Sequence, residues 1–569
     1  MTICDTIPIL VDIKFIIISE PTMNYLKPAL FSCFKGYTKK QLVSDVIAGI
    51  IVAIIALPLS IALALASGVE PEQGLYTAIV AGFLISFFGG SRVQIAGPTA
   101  AFATIVAGIV AKNGMSGLML ATVMAGIVLI FMGICKLGAL IKFIPYTITT
   151  GFTAGIAVTI LIGQLKDFFG VTYQNGEAPI ETVEKLHALF NNFSTVNYYA
   201  VMIGVISLLI VFLWPKIKYL NKVPASLVAV LVGSLIVGLC NLNVNTIGDL
   251  YTVSGEIPKF QAPSFDLSLA RSVLPDAFTI AVLAAIESLL SCVVADGMTN
   301  TKHNSNAELV AQGIGNIGSA LFGGIPATGA IARTAANIKN GGKTPIAGMV
   351  HAVVLLLVLV LLMPYASLIP MPVIAAVLFG VAYNMCQWRP FVRLVKTAPK
   401  SDIFVLVLTF VLTVVFDLVV AIAVGIVIAC VLFMKRMSDV ASVRTLGEDE
   451  NEAAVMNAPS FVKVYEVNGP LFFGASDIIA RITVRDDTRC IILGMESVLS
   501  IDATGMNALE ALFDKCSENG VKVLFSQVNA QPMKAMKKSG LASKAGGDAF
   551  LPNITDAIAA SKKMVFDEQ

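Results

Sequence analysis

The chain has 569 residues, 56% hydrophobic and only 13% charged, with a mean hydropathy of +0.83, which excludes a soluble globular protein and puts most of it in lipid. The net charge of +2 leaves no global excess to attract nucleic acid. The nine cysteines fall mostly singly within apolar runs, which argues against a disulfide framework or a zinc site.

Ile7 to Ser19 is apolar but short, contains Asp12 and Lys14, and lacks a basic leader and a small-residue cleavage site, so it does not read as a signal peptide. Met23 opens a basic cytosolic leader with Lys27, Lys35, Lys39 and Lys40. Residues 1–40 therefore read as an N-terminal cytosolic segment, with 1–22 an upstream extension or an over-long start.

A spanning helix needs about 20 apolar residues. By that measure fourteen segments follow, near 43–67, 72–89, 98–111, 117–135, 145–165, 197–214, 224–240, 275–295, 307–323, 329–338, 345–363, 371–385, 401–416 and 417–434. The third and tenth are too short to cross alone. Each follows a Gly/Pro-rich extended piece, and irregular backbone survives at membrane depth only when buried in protein or facing a wet cavity. With the N-terminus inside, the inner loops collect Lys136 and Lys142, Lys216 to Lys222, Lys339 and Lys343, Arg389 to Lys400, and Lys435 with Arg436. That is the positive-inside pattern, with both termini cytosolic. Seven segments per half is an odd number, so the second half is inserted upside-down: an inverted repeat.

Residues 41–436 thus form a polytopic α-helical transport domain, followed by a linker over 437–457 containing the charged run 447–452. From 458 to 567 strands (Val462 to Val467, Cys490 to Met495, Val521 to Phe525) alternate with helices near 475–484, 504–518, 530–540 and 554–563. This order predicts a small cytosolic α/β domain with a mainly parallel sheet.

Candidate chemistry begins at Gly97-Pro98-Thr99-Ala100-Ala101 and Gly324-Ile325-Pro326-Ala327-Thr328-Gly329-Ala330, helix-start signals lying deep inside apolar segments. A helix starting at mid-membrane aims its unpaired N–H groups and positive dipole end at whatever sits there. The first start offers amides around Thr99, Ala100 and Ala101 with the Thr99 hydroxyl; the second offers those around Gly329, Ala330 and Ile331, with Thr328 as its cap. The alternative is a pair of tightly packed kinks. Arg333, within a turn of the second start, suits an oxyanion, or braces the fold through carbonyls or Glu287, or snorkels to the interface. Glu287, near the centre of the eighth segment, fits a proton-coupling carboxylate that responds to cargo; a static ion pair or a protonated group bonded to backbone is the alternative. Pro58 kinks the first segment near Ser60, Asp45, Asp402 and Asp417 read as caps near span ends, and Asp296, Lys302, His303 and Asn304 read as a wet loop. No paired nucleophile and base, metal cluster or phosphate loop suggests an enzyme, a metal or a cofactor.

The run Gly68 to Tyr76, Gly89-Gly90-Ser91-Arg92, Ala96 to Ala100, Ile286-Glu287-Ser288-Leu289-Leu290, Ala330 to Ala335 and Gly341-Gly342-Lys343-Thr344-Pro345 resemble the SulP anion-transporter family. The C-terminal domain resembles its STAS domain, with Ile501-Asp502-Ala503-Thr504-Gly505 at the loop-to-helix turn. The resemblance, covering roughly residues 24–567, implies a core domain (segments 1–4 and 8–11) that carries the anion between segments 3 and 10. This core would move, elevator-like, against a gate domain (5–7 and 12–14), commonly in a homodimer. Anion contacts carry over to Thr99, Ala100, Ala332 and Arg333, and an apolar wall to Leu59 and Leu63. Many relatives have Gln at Leu59 and several have Ser at Ala332, so two polar contacts are missing here. The Ala330-to-Asn337 string and the Thr301-Lys302-His303 loop look most like bacterial members that carry C4-dicarboxylates, with sulfate and bicarbonate as the other classes. Bicarbonate members of the family lack the Arg and build a sodium site on Asp where this chain has Glu287, which implies proton in place of sodium coupling. Thr504 stands where stand-alone STAS proteins are phosphorylated, and the domain implies a cytosolic regulatory partner.

The expectation is a secondary active anion carrier in the cytoplasmic (inner) membrane. A passive anion channel, an anion sensor signalling through the STAS domain, and a nucleobase carrier of the same fold are the rivals. The last would want a second carboxylate where Arg333 stands.

Overall fold

The computed structural model describes residues 26–566 apart from 35, 140–143, 174–178, 180, 219–222, 263–265, 417, 447–457 and 486. Residues 1–22, Lys35, Lys142, Lys222, Asp417 and the charged run 447–452 lie outside the described residues. The chain divides into two compact units, Met1–Ile426 and Val427–Gln569.

The helices of the first unit that match the expected segments are α1 (Lys39–Ala66), α2 (Pro71–Phe88), α3 (Ala103–Ile134), α4 (Tyr146–Phe169), α5 (Tyr198–Leu213), α6 (Ala225–Cys240), α7 (Leu267–Thr299), α8 (Ser305–Leu321), α9 (Ile331–Lys339), α10 (Ile346–Ala366), α11 (Met371–Cys386) and α12 (Lys400–Val415), with α13 (Leu418–Val440) crossing the boundary; shorter helices lie at Ala29–Cys33, Thr182–Asn191, Ile247–Leu250 and Trp388–Thr397. Each of the fourteen segments has a counterpart, because α3 covers the third and fourth and is broken at Gly114, whose φ of 65° and ψ of −172° no helix accommodates. Among the described residues, eight helices are long and apolar enough to cross a membrane. Local chemistry sets their ends. Thr38 and Gln41 form a capping box that opens α1, Pro71 occupies the first turn of α2, and Gly170, Asn241 and Asn300 close α4, α6 and α7 in left-handed conformation.

Two helix clusters result. The α3 helix packs on α7 and α8, α8 on α2, and α10 on α1 and α2; separately, α4 packs on α11 and α12, and α5 on α6 and α11. Within the first cluster, two extended pieces cross: β1 (Ala96–Gly97) pairs antiparallel with β2 (Thr328–Gly329), Ala96 opposite Gly329 and Gly97 opposite Thr328. This pairing satisfies backbone groups that lipid could not.

The second unit holds a five-stranded sheet in the order β3 (Ser442–Leu446), β4 (Val462–Asn468), β5 (Cys490–Gly494), β6 (Lys522–Ser526) and β7 (Phe550–Leu551), antiparallel at β3–β4 and parallel thereafter. The stretch 437–446, expected as linker, is instead the end of α13 and an edge strand. Val443 in β3 packs on the domain core, and five register pairs with β4 hold the strand in place. The helix expected over 475–484 shrinks to Asp477–Ala480, whereas α14 (Ala503–Glu518), α15 (Ala530–Ser539) and α16 (Ile554–Phe566) match their expected positions. Strand alternation divides the core. Ile491, Leu493, Val523 and Phe525 face one layer with Leu509 and Leu512 of α14, while Ile492 and Leu524 face the other with Ala557 and Ile558 of α16. Cys490 lies buried in the second layer, and burial pushes its thiol up to about 12.

Phe525 is fully buried and stacks on Phe550 at 5.2 Å between ring centroids. Phe525→Ala should cost about 3–5 kcal/mol in this unit. Calorimetry of the full chain is expected to show one transition falling by several degrees while the other stays in place.

Candidate anion site

The two helix starts meet because β1 and β2 pair immediately ahead of them. After Gly97, Pro98 and Thr99 lead into a short 3-10 turn, Ala100–Phe102, which continues as α3; after Gly329, Ala330 leads into α9. The Ala330 N–H donates to the Ile95 carbonyl at 2.9 Å, extending the β1–β2 contact by one bond. Among the described residues no side chain caps either start, so the first amides of each, at Ala100–Ala101 and at Ile331–Arg333, keep their donors for whatever lies in front.

The Thr328 side chain is not the expected cap. Its hydroxyl is fully buried and donates to the Ala284 carbonyl at 3.1 Å, because Thr328 lies in β2, two residues ahead of the helix boundary, and faces α7. Gly329 is also buried, with the Gln94 side chain filling the space where a Cβ would stand. Thr99 likewise forms no cap bond; its hydroxyl donates to Oε2 of Glu287 at 2.9 Å. Glu287 and Thr99 both keep some exposure, as do Leu59 and Ala330, while Ile331 and Ala332 are exposed. Ala100, Ala101 and Leu63 are buried, which leaves Leu63 as packing behind Leu59.

Arg333 is 2% exposed. Its Nη2 donates to the Pro98 carbonyl at 3.0 Å, tying the second start to the first, and its Nε and Nη1 find no partner among the described residues. No ion pair joins it to Glu287 among the described residues, so the bracing alternative is realised through a carbonyl and not through the carboxylate. Gly97 leaves room for the Arg333 guanidinium, which lies where a Cβ would stand and would have to shift to admit one. Leaving two buried donors unmet costs about 1–3 kcal/mol each. That cost fits a cation held to project positive potential through the β1–β2 crossing.

Several polar groups behind the site give no clear signal in the sequence. Glu308 is fully buried and accepts from the N–H groups of Gly90 (3.0 Å) and Ser91 (3.3 Å), from Gln94 Nε2 (3.1 Å), Ser288 Oγ (3.1 Å) and Gln312 Nε2 (2.9 Å). This network, which also links Gln94 to Cys292, holds the piece leading to β1. Glu308 sits in the first turn of α8, where an acidic residue reads as ordinary dipole compensation. His351 of α10 is fully buried with neither ring nitrogen bonded among the described residues, and the Arg333 guanidinium is its charged neighbour. A lone imidazole in the apolar run Ile346–Ala366 was the available signal. Asp45, read as a cap, accepts from Tyr37 Oη (2.8 Å), Lys343 N (2.7 Å) and Thr344 Oγ1 (2.6 Å). In the expected wet loop, Asp296 instead holds the His303 ring Nδ1 at 2.7 Å, and Ser305 Oγ lies 2.9 Å from Nε2.

In the second unit Asp502 caps α14, accepting from Gly505 N at 2.8 Å and Phe473 N at 3.0 Å, and Thr504 is exposed on the first turn.

Comparison with known proteins finds that residues 42–409 match the sulfate permease family and residues 453–557 the STAS domain. The chain is 40% identical over 522 residues to YvdB of Bacillus subtilis (strain 168), whose name assigns it provisionally to sulfate transport, covering 91% of this chain and 97% of that protein. It is 30% identical over 538 residues to the bicarbonate transporter BicA of Picosynechococcus, covering 90% and 94%. The solved transmembrane domain of a cyanobacterial BicA superposes with a TM-score of 0.62 at 32% identity, over 68% of this chain and 98% of that one. The murine anion transporter Slc26a9 shares the fold, with a TM-score of 0.84 at 19% identity over 99% and 96%.

If Arg333 supplies the field that holds the anion, Arg333→Ala should weaken binding about tenfold or more, a loss of ~1.4 kcal/mol, by direct titration of the purified protein. Unchanged affinity would leave Arg333 as a brace only.

Proposed function

The chain belongs to the sulfate permease family, and on that premise we propose that it is a secondary active carrier that moves an anion held between the starts of α3 and α9. It is a multi-pass membrane transporter and not an enzyme. The observation that carries the reading is the pair of uncapped helix starts brought together by β1–β2, with Arg333 behind them and Thr99 bonded to Glu287 in front. Oriented amides and a screened cation suit an anion at a depth where water is scarce.

Selectivity falls to the accessible side chains: Leu59, Thr99 and Ala332, with Ala330 and Ile331 beside them. Leu59 and Ala332 supply no hydrogen bond, so the site reads charge and size and tolerates an organic body. This favours a C4-dicarboxylate; sulfate and bicarbonate, named for the relatives, are its competitors. Glu287 is the proton site, because its partner is a neutral hydroxyl, not a cation that would hold it ionised. Sodium is the alternative coupling ion.

The helix clusters of the first unit suggest the moving parts. α1–α3 with α7–α10 carry the site and act as the core, and α4–α6 with α11–α13 act as the gate, in an elevator-like movement within a homodimer. Lysines and arginines in the loops support an inner-membrane orientation with both termini cytosolic. The STAS domain regulates or assembles the carrier through a cytosolic partner, with Thr504 as the modifiable position.

Proteoliposomes test this. Saturable uptake driven by an inward proton gradient, with succinate, sulfate and bicarbonate in competition, is the expected result; conductance without saturation would make the protein a channel, and neither would leave the sensor. Glu287→Gln should abolish the response to the pH gradient while sparing anion binding, and an unchanged proton dependence would reject the coupling role. Removing residues 450–569 should alter rate or assembly with affinity intact, as read by the half-saturation concentration.

A further inference from the structure

A cavity of about 500 Å3 opens in the first unit away from the two helix starts. Its walls include Cys33 of the N-terminal piece, Arg92 ahead of β1, Thr301 between α7 and α8, Ile338 at the end of α9, and Lys343 between α9 and α10. Among the described residues every lining group belongs to the α1–α3 and α7–α10 cluster or its N-terminal approach, and none is a carboxylate.

The charge balance here is one-sided. Arg92 and Lys343 are exposed to the cavity and form no ion pair among the described residues. Of the neighbouring carboxylates, Asp45 accepts from Tyr37, Thr344 and the Lys343 backbone at the cavity's edge and Asp296 holds His303, and neither pairs with the Arg92 guanidinium or the Lys343 ammonium among the described residues. Two cations of different geometry, a planar fork and a point charge, suit an oxyanion with more than one charge. The volume lies in the range that small organic ligands fill and exceeds what a bare inorganic ion occupies.

We propose that this cavity binds a phosphomonoester as a regulatory ligand, carried on a small soluble molecule or on a lipid headgroup. Arg92 lies four residues ahead of β1 and Lys343 four beyond α9. A ligand gripping both would tie the approach to the first helix start to the exit of α9 without touching either start, stiffening the site from behind. The phosphate takes its place between the guanidinium and the ammonium, and the organic body lies along Ile338 and Cys33.

Cys33, partly exposed in the wall, reports occupancy. The full chain in neutral-lipid nanodiscs is treated with N-ethylmaleimide, and modification at Cys33 is read by mass spectrometry, with the exposed Cys240 as internal control. Glycerol 3-phosphate at four times its dissociation constant should slow Cys33 modification about fivefold, chloride at matched ionic strength should not, and Cys240 should be unaffected. Arg92→Gln with Lys343→Gln should weaken the ester's affinity about tenfold, so that at the same concentration protection falls to about 1.4-fold. The double variant's melting temperature must be unchanged, and Arg333→Ala should keep the protection, which separates this cavity from the transport site. Protection by phosphatidic acid in the bilayer, with none from the soluble ester, supports the headgroup source. Absence of protection from both, or full protection in the double variant, overturns the proposal.

Discussion

Everything in the first unit depends on four residues of sheet. The Ala96–Gly97 and Thr328–Gly329 pieces interrupt their helices where lipid would leave peptide groups unpaired, and each supplies the partner the other needs. Neither interruption is stable without its counterpart from the other half. The same pairing fixes where α3 and α9 begin and aims their first amides. The pairing that stabilises the backbone and the direction of the first amides are one geometric fact.

Around that crossing, charge is layered. Arg333 lies behind, anchored to Pro98; Glu287 lies in front, bonded by Thr99; and Glu308, ringed by five donors, holds the strand that leads in. The two buried charges on the strand side are met mostly by backbone groups and amides. Such partners keep their orientation as ligands come and go, so the field at the helix starts varies little.

Much of this was legible in the sequence because length and hydrophobicity alone mark a membrane segment, and Gly-Pro and Pro-Ala-Thr-Gly mark a start inside one. The segment positions and the alternating order of the C-terminal domain follow from such local signals. What was not legible depended on which way a side chain turns. Thr328 reads as a cap by spacing, yet β2 turns it to Ala284; Arg333 and Glu287 look like a pair by charge, yet each takes a partner from the first helix start. Strand β3 was hidden in an apparent linker because an edge strand needs only one well-packed face, and Ser442–Leu446 offers little more.

The bond from Arg333 to the Pro98 carbonyl has a consequence for how such a protein can change. It joins a side chain from one half to the main chain of the other, and main-chain atoms cannot be substituted. Drift at Pro98 leaves the acceptor in place, whereas an apolar residue at Arg333 removes the donor and a side chain at Gly97 crowds the guanidinium, which must then shift. Leu59 and Ala332, which keep exposure and take no part in this bond, can therefore vary while the lock beneath them stays constant.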